Sequence, residues 1–498
     1  MIIYQSTPAE YKPTGVRKYD GNAYIEALPL LEETKDEILD RIAYYPPEFT
    51  EADRRKGDLV RIAELARIGS LIYAFAEYRR AATAATISIR DAYLCRNPFT
   101  VEGQRRRTMI ATLNGPDAFD AMAFKSSAKG QLIMAVTGSG KTTLGGGIFA
   151  PYCHVIEHAE YRGHPFRCRQ IPVIPMAVMH DASLLSFCVQ FFETIDRILG
   201  NTHYAKEAKA VRTIALMALL IHKVANAVSL GLIFIDDVHH LRAAKGKQAD
   251  MVLNLLSQIL EIAGVSLMLS ATPALEPVIA QSVRNIRKLA SGGTSKFPVM
   301  RRNDPQWIAL ATALWRYLIV RRPGPLTEDI LDAWHNCSGG NPAFTAMSFT
   351  FAQIQEIGDR EFIDELSFQR VAETEMILLK PAIKALLSGK AEDLQRFDDL
   401  VPKSGLLELQ DQLGWAHEAP ETAENEPEFP ELDEAEGPPA ARKSKARTTQ
   451  SKAKAKAKAK PRTKGKAIAK PGAKTEPGSK SRRRPPNSGG LPTVQPSF

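Results

Sequence analysis

Apolar positions along this chain follow two rhythms. Short continuous runs stand at Leu132-Ile133-Met134-Ala135-Val136, at residues 171–178, at Leu232-Ile233-Phe234-Ile235 and at residues 265–269. Between them, over residues 182–199, 205–227 and 248–263, apolar residues recur with a helical period. Runs of this length alternating with helices predict an α/β core built on a parallel sheet. Strands covered by helices on both faces lose the polar alternation that half-exposed strands keep.

The flanks read differently. Residues 1–115 predict a mainly helical N-terminal region with an irregular start, where Gly15, Gly21, Asn22 and Pro29 break regular structure. From residue 52 to 95 the apolar residues Leu59, Ile62, Leu65, Ile68, Leu71 and Ile72 sit at helical spacing. Arg54, Arg55, Arg61, Arg67, Arg79, Arg80 and Arg105-Arg106-Arg107 lie in the same region. They read either as solvated helix faces or as a nucleic-acid or subunit-contact surface. Residues 296–415, after the α/β core of residues 116–295, predict a helical lid. Pro305 opens one helix, Thr327 caps the next, and Asn341-Pro342 begins a third. From about Glu418 the periodicity stops, and residues 416–498 form an acidic, then polybasic tail. With few large apolar residues this tail cannot offset its ordering entropy, so disorder in the free state is expected.

Composition changes this picture in three places. The net charge of +9 belongs to the tail: residues 442–484 carry 18 Lys or Arg and one acid, Glu476, a charge of +17 that leaves −8 elsewhere. No run of about 18 apolar residues predicts a membrane span, and the first residues lack the charged and apolar regions of a secretion signal. A cytoplasmic protein that is not secreted is therefore expected. The five cysteines, Cys95, Cys153, Cys168, Cys188 and Cys337, are scattered with no CxxC pair. Ordinary thiols in a reducing compartment are expected rather than a zinc site.

The strongest chemical signal follows the first apolar run. A turn that aims backbone N–H groups at phosphate must be free of crowding side chains, and Gly138 and Gly140 supply that. Lys141 is a flexible point charge for the β and γ phosphates. Thr142 offers a hydroxyl to Mg²⁺, and Thr143 assists at a helix N-terminus, where the dipole favours anions. Ala135, Val136, Thr137, Gly138, Ser139, Gly140, Lys141, Thr142 and Thr143 are thus the candidate ATP-binding set. In the usual GxxxxGK[ST] pattern the first position is glycine; Ala135 stands there, small and at a strand end, where tolerance is expected.

The partner site must supply an acid for the metal and a group that orients water. Leu232-Ile233-Phe234-Ile235-Asp236-Asp237 ends in two acids, with Asp236 the candidate on the metal side and Asp237 the candidate for polarising water. Aspartate is one methylene shorter than the glutamate common at the second place, so slow hydrolysis is expected. The fourth run ends in Ser270-Ala271-Thr272-Pro273. If its strand lies between the other two, Thr272 or Ser270 senses the γ-phosphate; otherwise it is a polar turn. Arg284 and Arg287 follow on a helical pattern, either as surface arginines or as charges donated across a subunit boundary.

Thr137-Gly138-Ser139-Gly140-Lys141-Thr142-Thr143, Asp236-Asp237-Val238-His239 and Ser270-Ala271-Thr272 also look like the P-loop, DExH and SAT motifs of a superfamily-two helicase. That class needs a second RecA-like domain, and only helical patterns follow Thr272.

The fuller resemblance is to TnsC, the AAA+ target-selection ATPase of Tns-type DNA transposons, and its TniB relatives. It begins at Thr14-Gly15-Val16-Arg17-Lys18-Tyr19, Asn22 and Ile25-Glu26-Ala27-Leu28-Pro29, and continues at Arg96-Asn97-Pro98 and the P-loop. It runs on through Phe191-Phe192-Glu193-Thr194-Ile195-Asp196-Arg197 and Ala227-Val228-Ser229-Leu230-Gly231-Leu232. Asp236-Asp237-Val238-His239-His240-Leu241 resembles IDEIxHL, and Leu267-Met268-Leu269-Ser270-Ala271-Thr272-Pro273 resembles MLIGTP; Pro305-Gln306-Trp307-Ile308-Ala309 is also similar. The similarity spans about residues 14–400.

The resemblance implies an AAA+ ATPase that binds ATP and Mg²⁺ and assembles with itself on double-stranded DNA as a ring or filament. It implies a regulator of transposition that connects a target selector of the TnsD or TniQ type to the transposase TnsB, with TnsA where present. The tail fits as sequence-independent DNA affinity, a transposase-docking arm or a solubilising segment.

Overall fold

A helix-covered parallel sheet carries the chain's candidate chemistry. In the computed structural model the described residues are 4–115 and 125–400, apart from 212, 245, 246, 281, 395, 398 and 399. They lie within one unit, residues 1–421. The tail expected from residue 416, and residues 401–415 of the expected lid, lie outside the described residues.

Eight strands, numbered in chain order, make two sheets among these residues. A small sheet holds β1 (Gln5–Pro8), β3 (His154–Tyr161) and β4 (His164–Gln170) in the order β1-β3-β4. The central sheet holds β2 (Gly130–Ala135), β5 (Val173–Ala177), β6 (Leu232–Asp236), β7 (Ser266–Ala271) and β8 (Thr294–Phe297). Its order is β5-β6-β7-β2-β8, and every pairing is parallel. The four apolar runs are therefore strands, and β7 lies between β2 and β6, the condition on which a γ-phosphate sensor at its end depended.

Side chains alternate between the two faces of each strand, and the two main cores follow that alternation. Ile133, Ala135, Leu232, Phe234 and Met268 face a core shared with the N-terminal helices and the lid. Leu132, Met134, Ile233, Ile235, Leu267 and Leu269 face a second core, with the helices Leu184–Leu199, Ile214–Ala227 and Gln248–Gln258. β2, β6 and β7 are buried at every position, which is why they read as unbroken apolar runs.

Several expectations are corrected. The fifth central strand, β8, was not expected, and it crosses the boundary placed between residues 295 and 296. Residues 205–227 form two helices, His203–Ala210 and Ile214–Ala227. Residues 248–263 are α-helical to Gln258 and then open into a π turn, Ile259–Ala263. The helical spacing over residues 52–95 covers several elements: a helix at Asp58–Glu64, a 3-10 turn at Leu65–Ser70, and a long helix at Tyr78–Leu94. Leu65 and Ile68 are buried, whereas Leu59 is 81% exposed.

The arginine-rich region is only partly a solvated face. Arg61 is fully buried and grips Glu361 of the lid through two contacts of 2.7 Å. Arg106 is buried and donates to the carbonyls of Lys125, Glu261 and Ile262. Burial lowers the Arg106 pKa to about 10. Arg80 and Arg105 remain exposed.

The three expected lid helices start where the sequence placed them. Asp304 caps the helix opened by Pro305, Thr327 accepts from the Ile330 N–H, and Asn341 accepts from the Ala343 and Phe344 N–H groups. Behind them Trp334 stacks on Phe349 and on Phe368, each at 5.1 Å. Among the described residues no helix is long and apolar enough to cross a membrane.

Candidate nucleotide site

The chain leaves β2, turns through Val136–Gly140 and enters the helix Lys141–Phe149. Gly138 and Gly140 have φ of +83° and +85°, the left-handed region where a side chain is strained. Both also lie under another element. A Cβ on Gly140 would stand 2.2 Å from the Tyr78 hydroxyl, and one on Gly138 would stand 2.5 Å from Asn341 Oδ1. Ala135 closes β2 in register with Phe297, on extended backbone that accepts its methyl group.

The Lys141 ammonium is buried and donates to the carbonyls of Ala135 and Val136, each at 2.9 Å. One residue on, the Thr142 hydroxyl donates to Asp236 Oδ2 at 2.5 Å, joining the P-loop helix to the end of β6. A hydroxyl and a carboxylate brought together in this way are the hard oxygen donors that suit Mg²⁺. The other Asp236 oxygen accepts from the Asp237 N–H at 2.9 Å.

Asp237 itself sits at φ +53°, strained for a residue with a Cβ. Its carboxylate is about half exposed and lies 3.9 Å from His239 Nδ1. Thr272 follows β7 and is 1% exposed, and its hydroxyl has no hydrogen-bond partner among the described residues. An unsatisfied buried hydroxyl is costly unless something else meets it. Ser270, the alternative sensor, is fully buried, and its hydroxyl likewise has no partner among the described residues.

A cleft of about 440 Å³ joins these groups. Thr137, Gly138, Gly140, Lys141, Thr142 and Thr143 form one wall, with Asp237, His239 and Thr272 beside them. Ile68, Leu71, Ile72, Tyr73, Phe75 and Tyr78 come from the N-terminal region, and Leu310, Leu314, Pro342, Ala343 and Ala346 from the lid. Polar phosphate-side chemistry at one end and apolar walls at the other suit a nucleotide. Asp236 lies behind Thr142, with Val136 and Ser139 buried in the loop itself. Arg284 and Arg287 are not brought to this cleft; they are exposed on the helix Val283–Leu289.

Three contacts went unnoticed in the sequence. The Tyr78 hydroxyl donates to the Ser139 carbonyl at 3.0 Å, and burial pushes its pKa well above the usual tyrosine value. The Asn341 amide donates to the Thr137 carbonyl at 2.8 Å, while the Ala343 N–H donates to Gly138 at 3.1 Å. Asn341 was legible as a helix cap, but no local pattern discloses its second partner.

A five-stranded parallel sheet in this order, a P-loop between its fourth-placed strand and the next helix, paired acids ending β6 and a buried threonine following β7 define an AAA+ P-loop ATPase fold. Residues 125–279 match the AAA domain family model. Among solved structures, the chain is similar to the Walker-type ATPase PABY2304 of Pyrococcus abyssi, at 10% identity over 60% of this chain and 79% of that one, TM-score 0.32. It is also similar to the Aeropyrum pernix Orc1 protein in complex with DNA, at 15% identity over 68% and 83% of the two chains, TM-score 0.35. A third is the RuvB Holliday junction branch migration motor of Thermotoga maritima, at 12% identity over 63% and 96%, TM-score 0.30. No curated protein matches the chain.

Proposed function

We propose that this AAA+ ATPase is an ATP-switched regulator of DNA transposition of the TnsC kind. It assembles with itself on double-stranded DNA and links a TnsD- or TniQ-type selector to the transposase TnsB, with TnsA where present. The observation that carries the reading is a convergence of sequence pieces that resemble that family. Asn22 donates to the Tyr93 carbonyl at 2.8 Å, and Asn97 donates to the Gly21 carbonyl at 2.9 Å. Arg96 donates to the Leu230 carbonyl at 2.7 Å, and Ser229 to the Tyr24 hydroxyl at 2.8 Å. Three pieces far apart in the chain thus meet in one largely buried polar joint, a reason for them to occur together.

In this reading the Gly138 and Gly140 turn, with Lys141 and Thr143, holds the phosphates of ATP. Thr142 and Asp236 hold Mg²⁺, which neutralises phosphate charge when bound. Asp237 orients water, and Thr272 meets the γ-phosphate. Arg284 and Arg287, exposed and away from their own cleft, act on a neighbouring subunit. The short, exposed Asp237 favours a long-lived ATP state, which suits a switch better than a motor. A superfamily-two helicase is disfavoured because every regular element after β8 among the described residues is helical.

Negative-stain imaging with duplex DNA and a non-hydrolysable ATP analogue tests this. Rings or filaments that need both ligands are expected, and discrete monomers under all conditions overturn the assembly reading. Capture of the selector and of TnsB on such assemblies tests the transposition role, and assembly without either partner overturns that part. Deleting residues 438–498 should flatten the salt dependence of DNA binding; an unchanged slope removes the tail from phosphate contact.

A further inference from the structure

A second, wider cavity lies on another side of the Tyr78–Leu94 helix, between it and the edge strand β8. It has a volume of about 1050 Å³, and its walls carry Lys35, Arg79, Arg80, Lys129 and Lys296. Two acids also line it, and both are engaged. Glu77 accepts from the Gln306 amide of the lid. Asp91 accepts from Lys18 at 3.0 Å and from the Tyr19 hydroxyl at 2.8 Å. Arg79 pairs with Asp36 at 2.5 Å. Lys35, Arg80 and Lys129 have no ion-pair partner among the described residues, and all three are exposed.

We propose that this groove binds the phosphate backbone of double-stranded DNA. The proposal rests on the DNA-bound reading above and assigns a surface to it. Three features favour an extended polyanion over a small anion or a peptide. First, the cations are spread along the groove. Lys35 opens the helix Lys35–Ile42, Arg80 lies on the helix Tyr78–Leu94 and Lys129 precedes β2, so three separate elements each bring one exposed cation to the groove.

Second, hydroxyls stand between the charges. Thr83, Thr294 and Ser295 line the groove, and the Thr83 hydroxyl is buried with no hydrogen-bond partner among the described residues. Cations interleaved with hydroxyls are the groups that position a protein on phosphates and sugars. Third, among the described residues no aromatic side chain lines the groove, which leaves nothing for bases to stack on.

Both walls of the groove end at the nucleotide site. The helix that carries Arg79, Arg80 and Thr83 begins at Tyr78, whose hydroxyl rests on the P-loop. Lys296 is followed by Phe297, whose ring lies 5.2 Å from that of Tyr78. DNA held on Arg80 is therefore held by the helix that also carries the cover of Gly140, and by linkage whatever effect DNA has on ATP affinity ATP has on DNA affinity; within this proposal the two strengthen each other.

The test compares the full-length protein with its R80S/K129S variant, binding a short duplex of arbitrary sequence across a salt titration. Each phosphate contact contributes about one to the slope of log affinity against log salt, so the variant's slope should fall by about two. Its melting temperature and its ATP affinity without DNA should match the wild type, and ATP should tighten DNA binding less than before. An unchanged slope overturns the groove and leaves the assembly reading standing. Absence of duplex binding by the wild type overturns both. Loss of poly-glutamate binding with duplex binding intact would assign the groove to an acidic protein partner instead, and so overturn the proposal.

Discussion

Asn341 at the start of a lid helix donates its amide to the carbonyl of Thr137, 204 residues earlier in the chain, across 2.8 Å. The same side chain caps its own helix through the N–H groups of Ala343 and Phe344. One residue thus sets both the first turn of the helix and the path of the phosphate loop. The phosphate loop and the first turn of the lid helix therefore share one side chain.

Substitutions at Asn341 should separate the two roles. Asn341→Asp keeps the capping oxygen and loses the donor to Thr137, whereas Asn341→Ala loses both. We expect the aspartate variant to bind ATP about tenfold more weakly, a loss of roughly 1.4 kcal/mol, and to melt lower than wild type, because its new oxygen faces the Thr137 carbonyl in a buried place. The alanine variant should lose about 1 kcal/mol of stability relative to wild type with the cap. Calorimetric titration and thermal melting measure the pair, and unaltered ATP affinity in the aspartate variant would dismiss the coupling.

Gly140→Ala tests the other cover. The new methyl would meet the Tyr78 hydroxyl at 2.2 Å and impose a left-handed alanine, at a cost of about 1–3 kcal/mol. Tyr78→Phe removes the clashing oxygen and also a hydrogen bond worth about 1 kcal/mol. In the double variant the steric part is relieved and the backbone part remains. Its destabilisation should therefore be smaller than the sum of the two single losses. Additive losses would mean that Tyr78 does not press on Gly140.

Asp237 separates a switch from an engine. Asp237→Asn should cut steady-state ATP turnover by roughly 10²-fold or more and leave ATP affinity within a factor of two or so. Asp237→Glu restores the missing methylene and should raise turnover. Unchanged turnover in the asparagine variant would remove Asp237 from the role of water-orienting acid.

The Arg61–Glu361 pair joins the N-terminal region to the lid and has a pH signature. Its hydrogen bonds from Arg61 hold the Glu361 carboxyl down at about 2, from an ordinary 4.5. A carboxyl depressed by folding stabilises fully above its unfolded pKa, and that contribution is lost as pH falls through the folded value. Arg61→Ala should therefore destabilise the protein by about 3 kcal/mol at neutral pH. The gap to wild type should narrow progressively below about pH 4.5. Urea unfolding midpoints across that range measure it; a gap that stays constant into acid would mean another source.

The P-loop, the paired acids and four of the five central strands were legible because deeply buried strands need long apolar side chains. The rest was hidden for identifiable reasons. β8 is Thr-Ser-Lys-Phe at a sheet edge, with Phe297 alone fully buried, so it offers no apolar run. β3 and β4 alternate buried with charged residues around the Arg162-Gly163 turn, where both φ values are positive. Residues 68–75 carry helix-like spacing but wall the cleft instead. Tyr78 and Asn341 reach their loop across 61 and 204 residues, beyond any local pattern.

The lid's capping asparagine also leads into an aromatic cluster. Its carbonyl accepts from Thr345, whose hydroxyl accepts from the Trp307 indole at 3.2 Å and whose carbonyl accepts from Trp334 at 3.0 Å. Trp315 lies 6.0 Å from Trp334. The three tryptophans among the described residues therefore all sit in the lid, two of them within one hydrogen bond of the helix that Asn341 fastens to the P-loop. Indole emission depends on such surroundings, so any movement of that helix when the phosphate loop is filled should be readable in the intrinsic fluorescence, without a label.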